Sequence, residues 1–222
     1  MGNYRAQSFP VLSGDWRHRG FNGSGAVQEL FGTLAGRTAL VVGSGGTIED
    51  ILDDVRLEFR RSMGSANCTP VITPVVFAVN DIGMYLDHVD HFVSLHGEKL
   101  LHWAGIRKDG TSKPIHGDFK THTGKHYPAG IDYHWDGLTP LMPLSGYFAM
   151  QLAWIMGAER IVLIGCPGDA TKRFFDAKPK PGERYSELGI RKQIEDEMRR
   201  IPEFKRAVRS TSGWTKEFFG DV

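Results

Sequence analysis

The stretch that most constrains this chain is residues 38–50, Thr-Ala-Leu-Val-Val-Gly-Ser-Gly-Gly-Thr-Ile-Glu-Asp. A short apolar run ends in a glycine-rich turn, and an acidic segment with helical spacing follows at once. This order predicts a strand, a tight turn and a helix whose first N–H groups lack partners within the helix. Those groups and the helix dipole attract anions, and glycine lets the backbone approach a ligand closely. We therefore expect Gly43, Ser44, Gly45 and Gly46 to hold a phosphate or another anion.

Composition excludes several classes of protein. The chain has 222 residues, 41% of them hydrophobic and 24% charged, with a formal net charge of +1. This balance gives no reason to expect binding to nucleic acid or to a membrane through bulk charge. The two cysteines are too few for a disulfide framework, and neither a membrane span nor a secretory signal is apparent. We expect a soluble cytoplasmic protein.

Predicted strands alternate with predicted helices along most of the chain, which indicates an α/β fold with a mostly parallel sheet flanked by helices. Residues 1–36, rich in Gly, Ser and Asn, are predicted to form an extended N-terminal arm with one short helix. Residues 105–143 show little periodicity and are predicted to form an irregular insertion, of the kind that serves as a lid or a binding loop. The predicted strands cover 38–43, 74–79, 91–95, 160–165 and 208–210.

Polar or glycine residues follow four of these strands. Ligands of parallel sheets bind beyond the carboxyl ends of the strands, so these residues are expected on one rim. They are Gly43 to Gly46, Asn80 with Asp81, His96, and the segment from Gly165 to Asp169. The glycine turn is not the full dinucleotide fingerprint, because Asn80 stands where an acidic residue would bind the ribose. This disfavours NAD and suits an amide that contacts a ribose, a phosphate or a base.

Two further positions have a structural and a functional interpretation. Ser145 and Gly146 open an apolar helix. They either cap that helix or add its first amides to the anion pocket. Asp169 follows a Pro-Gly turn and either stabilises the turn or acts as a base, or as a ligand for a hydroxyl or a metal.

Histidine is concentrated in one region, since eight of the nine histidines lie between residues 88 and 134. Their spacing matches no zinc signature, so no metal site is assigned to them. His96 ends a strand and is the candidate general base, while most of the others are interpreted as surface or insertion residues. Lys172 and Arg173 lie in a polar loop and are candidates to close over a phosphate.

Four blocks follow one another along the sequence: Val41-Val-Gly-Ser-Gly-Gly-Thr-Ile, Val76-Phe-Ala-Val-Asn-Asp, Asp90-His-Phe-Val-Ser-Leu-His and Ser145-Gly-Tyr-Phe-Ala-Met-Gln-Leu-Ala-Trp-Ile-Met-Gly-Ala-Glu-Arg-Ile-Val-Leu-Ile-Gly. In this order and spacing they resemble one Rossmann-like superfamily, over roughly residues 38–169. It includes the bacterial sialyltransferases that use CMP-sialic acid and the proteins similar to archaeal 6-hydroxymethylpterin pyrophosphokinase. Small phage-encoded proteins also resemble it.

The resemblance implies a Rossmann-like nucleotide-binding domain over residues 37–222. It places the turn from Gly43 to Gly46 at the phosphates or ribose of a nucleotide, Asn80 on the nucleotide, and Ser145 with Gly146 near the base or ribose. The sialyltransferases carry a histidine in the lid after the last block, whereas this chain has no histidine beyond His134. Their glycine turn usually continues with Pro-Ser, where this chain has Thr47.

The leading functional hypothesis is a transferase that binds a nucleotide or a nucleotide-activated donor such as a CMP-sugar. In glycosyl transfer, Asp169 or His96 would deprotonate the acceptor while loop cations steady the departing phosphate. In a pyrophosphokinase, Asp81 and Asp169 would instead hold Mg²⁺. The third alternative is a non-catalytic phage virion or assembly protein, which would bind a partner subunit or form a homo-oligomer in the host cytoplasm or the virion.

Overall fold

A computed structural model describes residues 25–63, 73–108, 118–124, 129–135, 144–168 and 187–222. Within these ranges, seven strands form one sheet in which every neighbouring pair is parallel. The prediction of an α/β, Rossmann-like fold is confirmed. The strands are β1 (Thr38–Val42), β2 (Val75–Val79), β3 (His91–Val93), β4 (Lys120–Thr123), β5 (Tyr133–His134), β6 (Arg160–Ile164) and β7 (Val208–Ser210).

The strand order β5-β4-β3-β2-β1-β6-β7 fixes where a ligand could bind. From β1, strands β2 to β5 follow one another toward one edge, whereas β6 and β7 lie on the other side of β1. The direction of growth therefore reverses between β1 and β6. In open parallel sheets this topological switch point leaves a crevice beyond the carboxyl ends of the two strands.

Helices cover both faces of the sheet, and each face has its own apolar core. The helix before β6 is apolar on all sides because it is buried against β1, β2, β3 and β6. Among the described residues, no helix combines the length and the apolarity that a membrane crossing requires. The helices are α1 (Gly25–Gln28), α2 (Ile48–Met63), a 3₁₀ helix η1 (Asn80–Met84), α3 (Gly97–Lys108), α4 (Ser145–Ile155), α5 (Glu187–Arg200), α6 (Pro202–Ala207) and α7 (Gly213–Phe219).

Two segments predicted as irregular contribute to the packed domain. Residues 105–108 complete α3, and β4 and β5 add two strands to the sheet. These strands are short and polar in sequence, so no hydrophobic run in the sequence predicts them. Within residues 25–36, Val27 and Leu34 are buried in the core, and the Leu34 N–H donates to the Met156 carbonyl at 2.7 Å.

A buried arginine holds the turn that follows β2. The Arg107 guanidinium is 2% exposed and donates to the carbonyl oxygens of Gly83 at 2.5 Å and Leu86 at 2.7 Å. Burial lowers the pKa of Arg107, against the opposing attraction of Asp87. Carbonyls at a helix end carry partial negative charge, which lets them accommodate a cation. Arg107 thereby fixes residues 83–86, which follow Asn80 in the chain.

The outer edge of β7 is closed by the segment that follows it. The Ser210 N–H donates to the Gly220 carbonyl at 3.0 Å. The Arg209 side chain donates to the Val208 carbonyl at 2.6 Å through Nη1. Unpaired groups at the edge of a strand can pair with the strands of other chains. In this protein the Ser210 N–H and the Val208 carbonyl, which face outward from β7, are bound within the chain itself.

Candidate functional site

The parallel sheet brings the candidate segments onto one rim. Gly43 to Gly46 follow β1, Asn80 and Asp81 follow β2, and Gly165 follows β6, the neighbour of β1. The start of α4 joins them, because the Ser145 hydroxyl oxygen accepts a hydrogen bond from the Leu95 N–H after β3 at 3.1 Å. The segments therefore converge, while their contacts with a ligand stay predictions.

At the switch point, the loops after β1 and β6 interlock. The Gly43 N–H donates to the Ile164 carbonyl at 2.8 Å, and the Gly45 N–H donates to the Gly165 carbonyl at 2.9 Å. A Cβ placed on Gly43 would lie 2.5 Å from the Gly165 carbonyl oxygen, and one on Gly45 would lie 2.5 Å from Cδ of Pro167. Close approach of the two loops thus explains these glycines, and their N–H groups face the neighbouring loop.

The first turn of α2 already holds a carboxylate. The Thr47 hydroxyl oxygen accepts from the Asp50 N–H at 3.2 Å, and its O–H donates to Asp50 Oδ2 at 2.8 Å. The first of these bonds is that of a capping box, whereas the carboxylate bonds the Thr47 hydroxyl and not the Thr47 backbone N–H. An incoming phosphate at this helix end would meet the negative charge of Asp50, which opposes the attraction of the helix dipole.

Open space lies instead above Gly46. Its φ of +115° requires glycine, and a Cβ there would meet no atom within 4 Å. Ser44 beside it is half-buried. Of the predicted anion-binding turn, Ser44 and Gly46 are therefore the residues that a ligand can reach, since Gly43 and Gly45 are committed to the β6 loop.

Asn80 is held in an unusual conformation. Among the described residues it is the one non-glycine residue with a positive φ, at 58°. Asparagine tolerates this region better than most residues, at a cost of about 1 kcal/mol or more. Its Oδ1 accepts from the Ser94 hydroxyl at 2.7 Å, and the Ser94 oxygen accepts from the His96 N–H at 3.0 Å. The carboxamide is therefore oriented, and no bond among the described residues engages its Nδ2.

The remaining predicted residues fall into two groups. His96 is exposed just before α3, and its carbonyl accepts from the Leu100 N–H at 2.9 Å. Asp81 is half-buried in the first turn of η1. Gly146 packs near the loop after β6, since a Cβ placed on it would lie 3.3 Å from Cys166 Sγ. These three lie on the rim. Asp169, Lys172 and Arg173 lie outside the described residues.

Cys166 follows β6 directly and is not poised for thiolate chemistry. Burial raises the pKa of its thiol to about 12, although a backbone hydrogen bond from Gly43 opposes the shift. The thiolate is the nucleophilic form of cysteine, so this thiol is unreactive near neutral pH. Among the described residues, no cluster of three His, Cys, Asp or Glu could hold a metal ion.

Sequence reasoning missed a cation beside the crevice. Arg191 on α5 donates from Nε to the Gly168 carbonyl at 3.2 Å. Its guanidinium carbon lies 5.2 Å from the ring centroid of Trp214 on α7. No spacing in the sequence links residue 191 to the loop after β6, because the contact arises only when α5 and α7 pack beside that loop.

Two surface cavities lie away from this rim. One of about 470 Å³ is lined by α5, α6 and α7, and one of about 390 Å³ lies at the amino ends of β1 and β6. Arginines lining them are paired within the protein, Arg160 with Glu58 at 3.2 Å and Arg206 with Glu203 at 3.1 Å. We assign no ligand to either cavity.

Together these features define an α/β protein in which candidate binding segments converge on the rim at the switch point of a parallel sheet. Compared with protein-family models, with curated proteins and with solved structures, the chain matches none. The function of this chain must therefore be inferred from its fold and from the residues on the rim.

Proposed function

We propose that this chain is a transferase that binds a nucleotide or a nucleotide-activated donor at the rim between β1 and β6. The observation that carries the proposal is the convergence of the glycine loop after β1, the oriented Asn80 and the start of α4 at a switch point. Nucleotides are common ligands at this place in doubly wound sheets. The resemblance of residues 38–169 to nucleotide-using transferases supports the same choice.

In this proposal each rim residue has a distinct role. Ser44 and Gly46 contact the phosphate or ribose, and the Asn80 amide donates its N–H groups to acceptors of the ribose or base. His96 is exposed on the rim and takes the proton of the acceptor hydroxyl, since histidine is the side chain that most often serves as a general base. Asp169 is the alternative base, and Lys172 with Arg173 would steady the leaving phosphate.

A pyrophosphokinase is the second candidate, favoured by the position of Asp81 on the same rim. There Asp81 and Asp169 would hold Mg²⁺ against the phosphates of ATP. Requirement for Mg²⁺ separates the two reactions. A CMP-sugar that binds without Mg²⁺ favours glycosyl transfer, whereas ATP that binds only with Mg²⁺ favours diphosphoryl transfer.

Replacing Asn80→Asp tests the site without disturbing the fold. Aspartate tolerates the same φ and still accepts from Ser94, but it lacks the N–H donors and adds a negative charge. We expect nucleotide affinity to fall at least about tenfold, because a donor is lost and the phosphate is repelled. Thermal unfolding and calorimetric titration with CMP, a CMP-sugar and ATP, each with and without Mg²⁺, measure the effect.

The matched control is Gln28→Glu, which adds the same charge at an exposed position on α1. It should leave binding unchanged. Ligand at about 100 times its Kd should stabilise the wild type by about 2.7 kcal/mol. Unchanged affinity in Asn80→Asp would place the ligand elsewhere, and a wild type that responds to no nucleotide would contradict the proposed function.

A further inference from the structure

We propose that Arg191 binds the phosphate group of the ligand in the crevice, an inference that rests on the proposed nucleotide site. Three features of the structure support it: the position of the guanidinium beside the crevice, the contacts that orient it, and the absence of any described carboxylate paired with it. Arg191 itself lies outside the sequence blocks that suggested a nucleotide.

A short series of contacts connects Arg191 with the crevice. Gly45, after β1, packs so closely on Pro167 that a Cβ would lie 2.5 Å from Cδ of that proline. Gly168 follows in the same loop, and its carbonyl accepts from Arg191 Nε. The guanidinium therefore lies against the β6 side of the crevice, one residue beyond the contact that joins the two loops.

Aromatic packing orients the guanidinium. It lies over Trp214, whose ring stacks on Phe218 with centroids 5.1 Å apart. The start of α7 is fixed to the same loop, because Thr215 donates from its N–H to the Pro167 carbonyl at 3.1 Å and from its hydroxyl to the Cys166 carbonyl at 2.8 Å. Nε is bound to Gly168, and no described residue accepts a hydrogen bond from the two terminal nitrogens. These two nitrogens form a planar fork that matches phosphate geometry.

No described carboxylate balances the charge of Arg191. Elsewhere on α5, Arg199 pairs with Asp196 at 2.8 Å and Arg200 approaches Glu197 at 3.7 Å. Among the described residues, no carboxylate pairs with Arg191. The α2 N-terminus, the usual seat of a phosphate in such folds, has Asp50 bound at its first turn. A phosphate in this crevice therefore needs a cation from the opposite side, which Arg191 supplies.

Comparison of nucleosides with nucleotides tests this assignment. Wild-type protein and the variants Arg191→Gln and Arg191→Lys are titrated calorimetrically with cytidine, CMP, adenosine, AMP and pyrophosphate. We expect Arg191→Gln to weaken CMP or AMP and pyrophosphate at least about tenfold and to leave the nucleosides unchanged. Arg191→Lys should recover only part of the loss, because lysine lacks the planar fork. Arg199→Gln, on the same helix, is the control and should change nothing.

The outcomes separate this inference from the proposed function. If nucleotides bind and Arg191→Gln retains the wild-type preference for nucleotide over nucleoside, the phosphate assignment is wrong while the nucleotide site stands. If pyrophosphate alone binds and Arg191→Gln weakens it, the anion site stands and the nucleotide proposal fails. Absence of binding by every probe overturns both. Urea unfolding of each variant verifies that the folded state is retained, and Arg191→Lys gives the answer if Arg191→Gln does not fold.

Discussion

Acidification from pH 6.5 to pH 4 is expected to lower the free energy of unfolding by about 3 kcal/mol through His91 alone, and by more when His122 is included. Burial lowers the pKa of His91 to about 4 and, in the same direction, lowers that of His122 well below its usual value. In the unfolded chain these imidazoles bind protons near pH 6.5, whereas in the folded protein they bind protons only at a lower pH. Stability is therefore fully present above about pH 6.5 and is lost as the pH falls toward 4.

The hydrogen bonds of the pair explain why both imidazoles are neutral. The Trp135 Nε1–H donates to His122 Nδ1 at 3.1 Å, and indole nitrogen can only donate. The proton of His122 must then lie on Nε2, from which it donates to His91 Nδ1 at 2.9 Å. Phe77 stacks on His91, and Tyr133 stacks on His122. A second proton on His91 would break the bond between the two rings, and one on His122 would break its bond to Trp135. Either would bury a charge among aromatic rings.

Urea unfolding at half-unit pH steps measures this dependence. Near pH 5 each buried imidazole should contribute a slope of about 1.4 kcal/mol per pH unit. The His88–Asp90 contact at 3.0 Å raises the pKa of His88 and acts in the opposite direction, but weakly because the pair is partly exposed. A flat profile between pH 6.5 and pH 4 would contradict the buried neutral pair.

Gly165→Ala is expected to lower the free energy of unfolding by about 3 to 4 kcal/mol. Its φ is +60°, which strains any residue with a side chain, and a Cβ there would lie 2.5 Å from the Gly43 carbonyl oxygen. The same Cβ would be 3.1 Å from Ile51 Cδ1. Because the closest obstacle is backbone of the facing loop, relief requires the loops after β1 and β6 to move apart.

Substitutions at two other glycines distinguish the effect of backbone strain from the effect of the close contact between the loops. Gly46→Ala carries the backbone strain with open space around its Cβ, so a smaller loss of about 1 to 2 kcal/mol is expected. Gly105→Ala, within α3, meets nothing within 4 Å and should raise stability by about 0.5 to 1 kcal/mol. Chemical denaturation of all three variants gives the ranking. If Gly165→Ala were no worse than Gly46→Ala, close contact of the loops would be refuted.

The central strands were predictable because their residues are buried on both faces and read as continuous apolar runs. The buried segments Ala39–Val42, 75–79 and 161–164 lie within the predicted strands. β4 and β5 were not predicted, since Lys-Thr-His-Thr and Tyr-His carry no hydrophobic pattern. Their burial depends on neighbours that only the fold supplies.

The histidines show the same limit. Most histidines other than His96 are interpreted from the sequence as surface or insertion residues, and nothing in the sequence singles out His91 and His122 as the buried pair that the structure shows. The hydrogen bond that satisfies these two imidazoles joins residues 31 positions apart. No local sequence pattern reveals such a pairing, and a histidine considered without its partner is expected to be exposed. By contrast, the Thr47 and Asp50 pair at the start of α2 stands in the sequence at the spacing of a capping box and could have been recognised there.

Completion of the sheet edge by residues 208–220 has a consequence for synthesis. The central strand β1 precedes all others in sequence, so pairing can spread outward while the ribosome is still adding residues. Until β7 has emerged, however, the flank of β6 has no cover, and until residue 220 follows, the outer edge of β7 offers a bare amide to any neighbouring nascent polypeptide. Slow translation of this last stretch would therefore lengthen the interval in which misassembly competes with folding.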